Sequence, residues 1–146
     1  MSDNERLNVF LHEYAKQNQF DFGLGVTYLA ADEGILGYVT LSGGQVDAAL
    51  YPKTKRRHPR YPHPVLRISR LAVAAAAARR GIGTLLVAHA WNVAQVQRLT
   101  VGCSGLLTDA KPEAVAFYRE KCGFVVIREP AAPGDATVML RPLDDA

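Results

Sequence analysis

Two hydrophobic periods alternate along the chain. After Ser2-Asp3-Asn4-Glu5, which has the form of a capping box, Leu7, Phe10, Leu11 and Tyr14 recur at helical spacing. They predict a helix that starts near Asn4 and ends around Gln17 to Gln19. Val26 to Ala31 and Ile35 to Ser42 read as strands joined by a turn at Asp32-Glu33-Gly34, with Gly43-Gly44 ending the second. Asp47 to His63 is a connection rich in proline and basic residues, and a loop that long tends to be functional. From Leu66 to Val73 apolar residues alternate with polar ones through Ile68, Ser69 and Arg70, the pattern of a strand with one buried face. The alanines Ala74 to Ala78 are expected as a connector. The turn Arg79-Arg80-Gly81-Ile82-Gly83-Thr84 follows, and Leu85, Leu86, Ala90, Val93 and Val96 then carry a helix.

Gly105 to Asp109 is a further strand, and Lys111 to Lys121 a helix with Pro112 at its start, where proline is tolerated. Phe124 to Arg128 and Thr137 to Leu140 are the last strands, around a turn at Pro130 to Asp135. The order α, β, β, β, α, β, α, β, β belongs to the α/β (α+β) class, a mixed sheet flanked by helices. At 146 residues, 1–146 is expected to form a single domain.

Composition changes this picture little, with 49% apolar and 21% charged residues, as in ordinary globular chains. No run is long enough for a membrane span, and MSDNERLN does not read as a signal peptide. Cys103 and Cys122 lack metal-ligand spacing and suggest reduced thiols, so the expected location is cytoplasmic, with no metal and no membrane. Charge is more informative. The net value is +3, yet from Ala48 to Thr108 there is no Asp or Glu, while ten of the seventeen Lys and Arg fall there. The densest run is Lys53, Lys55, Arg56, Arg57 and Arg60. It reads as a solvated loop or as a surface for phosphates, of a nucleotide cofactor or a nucleic acid.

A strand, a basic glycine turn and a helix together suit a phosphate. Helix N-termini present unpaired N–H groups and partial positive charge, and glycine permits close approach. The turn fits neither G-x-x-x-x-G-K-[ST] nor G-x-G-x-x-G. It does resemble motif A of the GNAT acyltransferases, R/Q-x-x-G-x-G/A, through Gly81 and Gly83, with Ala78 where Arg or Gln is usual. A second anchor follows in the right order. Asp109 to Tyr118 and Cys122-Gly123-Phe124 resemble motif B, A-x-x-F-Y-x-x-x-G-F, with one extra residue between the tyrosine and the glycine.

The resemblance implies a GNAT fold and an acetyl-CoA-dependent N-acetyltransferase. Backbone groups of Leu71, Ala72 and Val73 would pair with the pantetheine arm. Arg79, Arg80, Gly81, Ile82, Gly83 and Thr84 would hold the pyrophosphate, and Tyr118 would protonate the departing sulfur. Phe10-Leu11, Tyr14-Ala15, Gln17-Asn18-Gln19, Thr27-Tyr28, Gly37 to Ser42 and Arg70 to Val73 look like the GNAT toxins of bacterial toxin–antitoxin pairs. Those enzymes acetylate the α-amine of aminoacyl-tRNA and are neutralised by ribbon-helix-helix antitoxins. Members begin with a strand before the first helix, whereas this chain starts at the helix. A homodimer is left open.

No general base is evident. The strand VLRISRLAV has no Asp or Glu, and His89, on the helix after the turn, reads as a packing or surface residue. A lysine amine, with pKa about 10.4, is almost wholly protonated at neutral pH, whereas an α-amine near about 7.7–8.0 is partly neutral. A site without a base therefore suits an α-amine. The alternatives are a GNAT acting on a small amine, peptide or protein N-terminus, and a GNAT fold that binds CoA without turnover.

Overall fold

The computed structural model describes residues 24–31, 34–53, 59–77 and 80–143. The expected first helix and the Asp32-Glu33 turn lie outside these residues. The described chain forms strands β1 (Val26–Ala31), β2 (Ile35–Val46) and β3 (His63–Val73), helix α1 (Ile82–Thr100), then β4 (Gly105–Ala110), β5 (Val125–Arg128) and β6 (Thr137–Pro142). The six strands make one mixed sheet in the order β1-β2-β3-β4-β6-β5. The expected α/β class is found, and from β1 onward the strands and helical segments follow the expected order. No described helix is long and apolar enough to cross a membrane.

The chain divides into two compact units: one takes in the chain up to Ser42 with Ile68–Ala90, the other Gly43–Arg67 with Trp91 onward. In the first unit β1 pairs antiparallel with β2, from Val26 opposite Leu41 to Ala31 opposite Ile35. Its buried residues include Tyr38, Val39, Leu41, Ile68, Ile82, Leu86 and Ala90. In the second, β4 pairs antiparallel with β6, from Gly105 opposite Pro142 to Ala110 opposite Thr137. β5 pairs with β6 from its other side. Five of the six β4 residues are buried, the near-continuous run expected of a strand covered on both faces. Val46, Tyr51, Val65, Leu107 and Leu140 form the core of this unit, and each large apolar side chain there contributes about 1.5–3 kcal/mol.

Three strand boundaries differ by two or more residues from the pattern-based expectation. β2 continues through Gly43-Gly44 to Val46 because both glycines stay extended, with neither at positive φ. β3 begins at His63 rather than Leu66: Pro64 is exposed, while His63 and Val65 are buried beside it. β6 runs on to Pro142, which lies opposite Gly105.

Candidate active site

The turn that resembles motif A lies within the first unit. β3 ends on Leu71, Ala72 and Val73, all half-buried. The chain then leaves the sheet. The Ala74 N–H donates to Leu36 O at 2.8 Å, a 3-10 turn covers Ala75–Ala77, and the Arg80 N–H donates to Ala77 O at 3.3 Å. The alanine connector is therefore a single tight turn, anchored by buried Ala77. Ala78 and Arg79 lie outside the described residues.

Gly81 has φ +77, where an L side chain is strained, and a Cβ there would meet nothing within 4 Å. Gly83 is the second residue of α1 and is not among the positive-φ glycines. Its φ therefore does not itself call for glycine. Ile82 is buried and pins the helix start, while Arg80, Gly81 and Thr84 are exposed. The Leu85 N–H donates to Gly81 O at 3.0 Å, so Ile82, Gly83 and Thr84 form the first turn, whose N–H groups lack intrahelical acceptors. That turn contains no acid. Open space, exposed donors, the helix dipole and Arg80 make an environment that fits a phosphate group.

Gly37 carries a constraint that sequence reading did not single out. A Cβ at Gly37 would sit 2.7 Å from Ala72 O, 3.2 Å from Leu86 Cδ1 and 3.3 Å from Ile82 Cγ2. Only glycine lets β2 lie this close to the end of β3 and the start of α1. A glycine inside a strand pattern is the signal that could have found it.

The motif B segment lies in the second unit. Residues 112–122 are helical, opening as a 3-10 turn at Pro112–Ala114 and closing as a π-helix at Phe117–Lys121. The extra residue between Tyr118 and Gly123 is accommodated here, since a π turn takes one residue more than an α turn. The end shows the same widening. The Phe124 N–H donates to Tyr118 O at 3.0 Å, an i→i+6 bond around Gly123 at φ 75, where an α-helix closes with i→i+5.

Tyr118 is 4% exposed. Its ring meets Phe117 edge-on at 5.2 Å and Phe124 at 5.1 Å. Burial, the largest cause, raises its pKa above the ordinary 10.0, against a smaller lowering from Thr108. The phenol is therefore a proton donor across the neutral range. Burial likewise pushes the Cys122 thiol up to about 11, against a lowering by Arg141. The Arg141 guanidinium donates from Nη1 to Cys122 O at 3.4 Å and lies 3.8 Å from the centre of the Trp91 ring. It holds the last carbonyl of this helical stretch, a contact invisible to local sequence pattern.

Other predicted positions are placed as follows. Lys53 and Arg60 are exposed, and Lys55, Arg56 and Arg57 lie outside the described residues. His89 is exposed and packs its ring against Tyr28 at 4.4 Å, consistent with a packing or surface role. Arg67 pairs with Asp109, both partly exposed, and Ser42 Oγ lies 2.6 Å from Ser69 Oγ. Both cysteines are free and buried. Among the described residues no three His, Cys, Asp or Glu side chains cluster as a metal site would.

The profile of the acetyltransferase (GNAT) domain matches residues 24–126, spanning β1 to β5 and both segments described above. The chain belongs to the GNAT acetyltransferases. This N-acetyltransferase fold is also close to solved toxins. AtaT complexed with acetyl-methionyl-tRNAfMet is 27% identical, with a TM-score of 0.74 over 94% of this chain and 82% of that one. A tyrosine-to-phenylalanine mutant of KacT is 28% identical, with the same TM-score and the same coverage. AtaTR bound with acetyl-CoA is 29% identical, with a TM-score of 0.66 over 94% of this chain and 81% of that one.

Proposed function

We propose that this GNAT domain, taken as one domain over 1–146, transfers the acetyl group of acetyl-CoA to the α-amine of aminoacyl-tRNA, as the toxin of a toxin–antitoxin pair. The observation that carries this reading is the likeness, over 94% of the chain, to AtaT complexed with acetyl-methionyl-tRNAfMet. Its likeness to AtaT bound to the C-terminus of the antitoxin AtaR supports a protein antitoxin, which we assign to the ribbon-helix-helix class. Action on tRNA puts the protein in the cytoplasm.

Acetyl-CoA binds with its pyrophosphate on Arg79 to Thr84 and its pantetheine arm along the backbone of Leu71, Ala72 and Val73. Gly81 shapes the turn, Gly83 keeps it open, and Arg79 and Arg80 add charge. The partly neutral α-amine attacks the thioester carbonyl. Tyr118, kept protonated by burial, is the acid for the departing sulfur. No Asp or Glu on β3 is required, because an α-amine loses its proton near neutral pH.

Lys53, Lys55, Arg56, Arg57 and Arg60 contact tRNA phosphates. Changing all five to Gln weakens binding of charged tRNA whatever its amino acid, because phosphate contacts carry no sequence information. Each lost contact flattens the slope of log affinity against log salt by about 0.7–0.9. Filter binding at several salt concentrations tests this. Identical slopes in wild type and variant would remove the run from the tRNA surface and favour a small-amine or peptide acceptor.

A further inference from the structure

We infer that Tyr61 is a stacking platform for an unpaired base of the tRNA, beside the phosphate contacts of Lys53 and Arg60. This rests on the reading of charged tRNA as the acceptor.

Residues 59–64 read Pro-Arg-Tyr-Pro-His-Pro. Each proline fixes its own φ and biases the residue before it towards extended backbone, so Tyr61 and His63 have little conformational freedom. His63, the first residue of β3, is 4% exposed and ties this segment to the core of its unit. Its Nε2 lies 3.3 Å from Pro59 O, and its Nδ1 lies 3.4 Å from Ser104 Oγ. A carbonyl only accepts, so the Nε2–H donates to Pro59. The His63 ring stacks on buried Tyr51 at 4.4 Å and 10°, and the Tyr51 hydroxyl donates to Ser104 O at 2.6 Å. The Ser104 N–H donates to Pro64 O at 2.7 Å. The backbone is thus held on both sides of Tyr61, at Pro59 and at Pro64.

Tyr61 itself is 65% exposed. Of the described Phe, Tyr and Trp residues it is the only exposed one. An open ring on a fixed backbone loses little freedom on binding, which favours affinity. Its neighbours select the ligand. Arg60 and Lys53 are exposed, and no Asp or Glu lies between Ala48 and Thr108. A π face among cations suits a nucleotide strand, whose bases stack on the ring while its phosphates meet the charges. An apolar protein partner would desolvate those cations without pairing them. Bases inside a duplex are already stacked, so the occupant is an unpaired base, from the 3′ end that carries the amino acid or from a loop.

The test is filter binding of methionyl-tRNA to the full chain at several salt concentrations. Tyr61→Ala should weaken binding about five- to hundredfold, the usual worth of a stacked base. The factor should be the same at every salt concentration, because the lost contact is uncharged and releases no counterion. Tyr61→Phe keeps the π face and should bind as the wild type does. Tyr61→Leu, apolar without a π face, should follow alanine. Acetyl-CoA affinity and Tm should hold in all three, since most of the ring is in solvent. An acceptor-stem minihelix with its unpaired 3′ end distinguishes the two sources. The same alanine loss on the minihelix places the base at the 3′ end, and a loss seen only with whole tRNA places it in a loop. Two results overturn the inference: wild-type affinity in Tyr61→Ala, or Tyr61→Leu binding as tightly as Tyr61→Phe. Absence of tRNA binding by the wild type overturns the tRNA reading itself, a separate and recognisable failure.

Discussion

Gly37→Ala is the sharpest perturbation available to the cofactor strand, because it adds one methyl group at a backbone contact. The added carbon would lie 2.7 Å from Ala72 O. Ordinary C···O contacts in sheets are about 3.3–3.6 Å, so β2 and β3 must separate locally by roughly 0.6 Å or more. Leu86 Cδ1 and Ile82 Cγ2, at 3.2 and 3.3 Å, can yield by small rotations; the carbonyl moves only with its strand. Overpacking of this kind costs about 1–3 kcal/mol, offset by roughly 0.5–1 kcal/mol because alanine loses less chain entropy than glycine. A net loss of about 1–2 kcal/mol lowers the Tm of a chain this size by roughly 2–8 °C. Acetyl-CoA affinity should fall as well, since the displaced carbonyl belongs to the strand end assigned to the pantetheine arm. Differential scanning calorimetry and isothermal titration read the two effects. Gly43→Ala is the control: a Cβ there meets nothing within 4 Å, φ is not positive, and neither quantity should fall. An unchanged Tm and affinity in Gly37→Ala would refute the close approach of β2 to Ala72.

Three further outcomes follow from the same geometry. Gly83→Asp puts bulk and negative charge at the first turn of α1 and should abolish acetyl-CoA binding; unchanged affinity by calorimetry in a folded variant would exclude the turn as the pyrophosphate site. Tyr118→Phe keeps the ring packing and should lower kcat by about 10²–10⁴ with little change in acetyl-CoA affinity, read by single-turnover kinetics. With its thiol pushed from 9.0 up to about 11, Cys122 stabilises the fold fully below pH 9 and loses that contribution as the pH rises through about 11; denaturant midpoints across this window should fall more steeply in wild type than in Cys122→Ala.

Much of this architecture was legible in the chain because its signals are local. Period-two runs gave β1 to β6 to within a few residues, and the G-x-G turn before a helical stripe marked the start of α1. The one-residue surplus in motif B was also visible, and its consequence is the π turn at Phe117–Lys121. Features set by distant partners were not legible. Nothing near Gly37 in sequence shows that Ala72 O lies against it. Arg141 reaches the end of the motif B helix from β6, a link between residues nineteen apart. The strand ends at Val46 and His63 were missed for a related reason. Glycine and proline read as breakers from sequence, yet an extended glycine can remain in a ladder and a proline can lie exposed within a strand.

The most direct measurement is transfer of radiolabelled acetate from acetyl-CoA to purified tRNA, charged and uncharged in parallel. After transfer, mild alkali releases the amino acid, which chromatography resolves. N-acetylation of aminoacyl-tRNA requires label on the released amino acid as its N-acetyl derivative, none on uncharged tRNA, and a rate that falls with Tyr118→Phe. Label on a small amine or peptide with none on any charged tRNA would contradict the proposed acceptor, and no transfer to any amine would contradict the proposed catalysis.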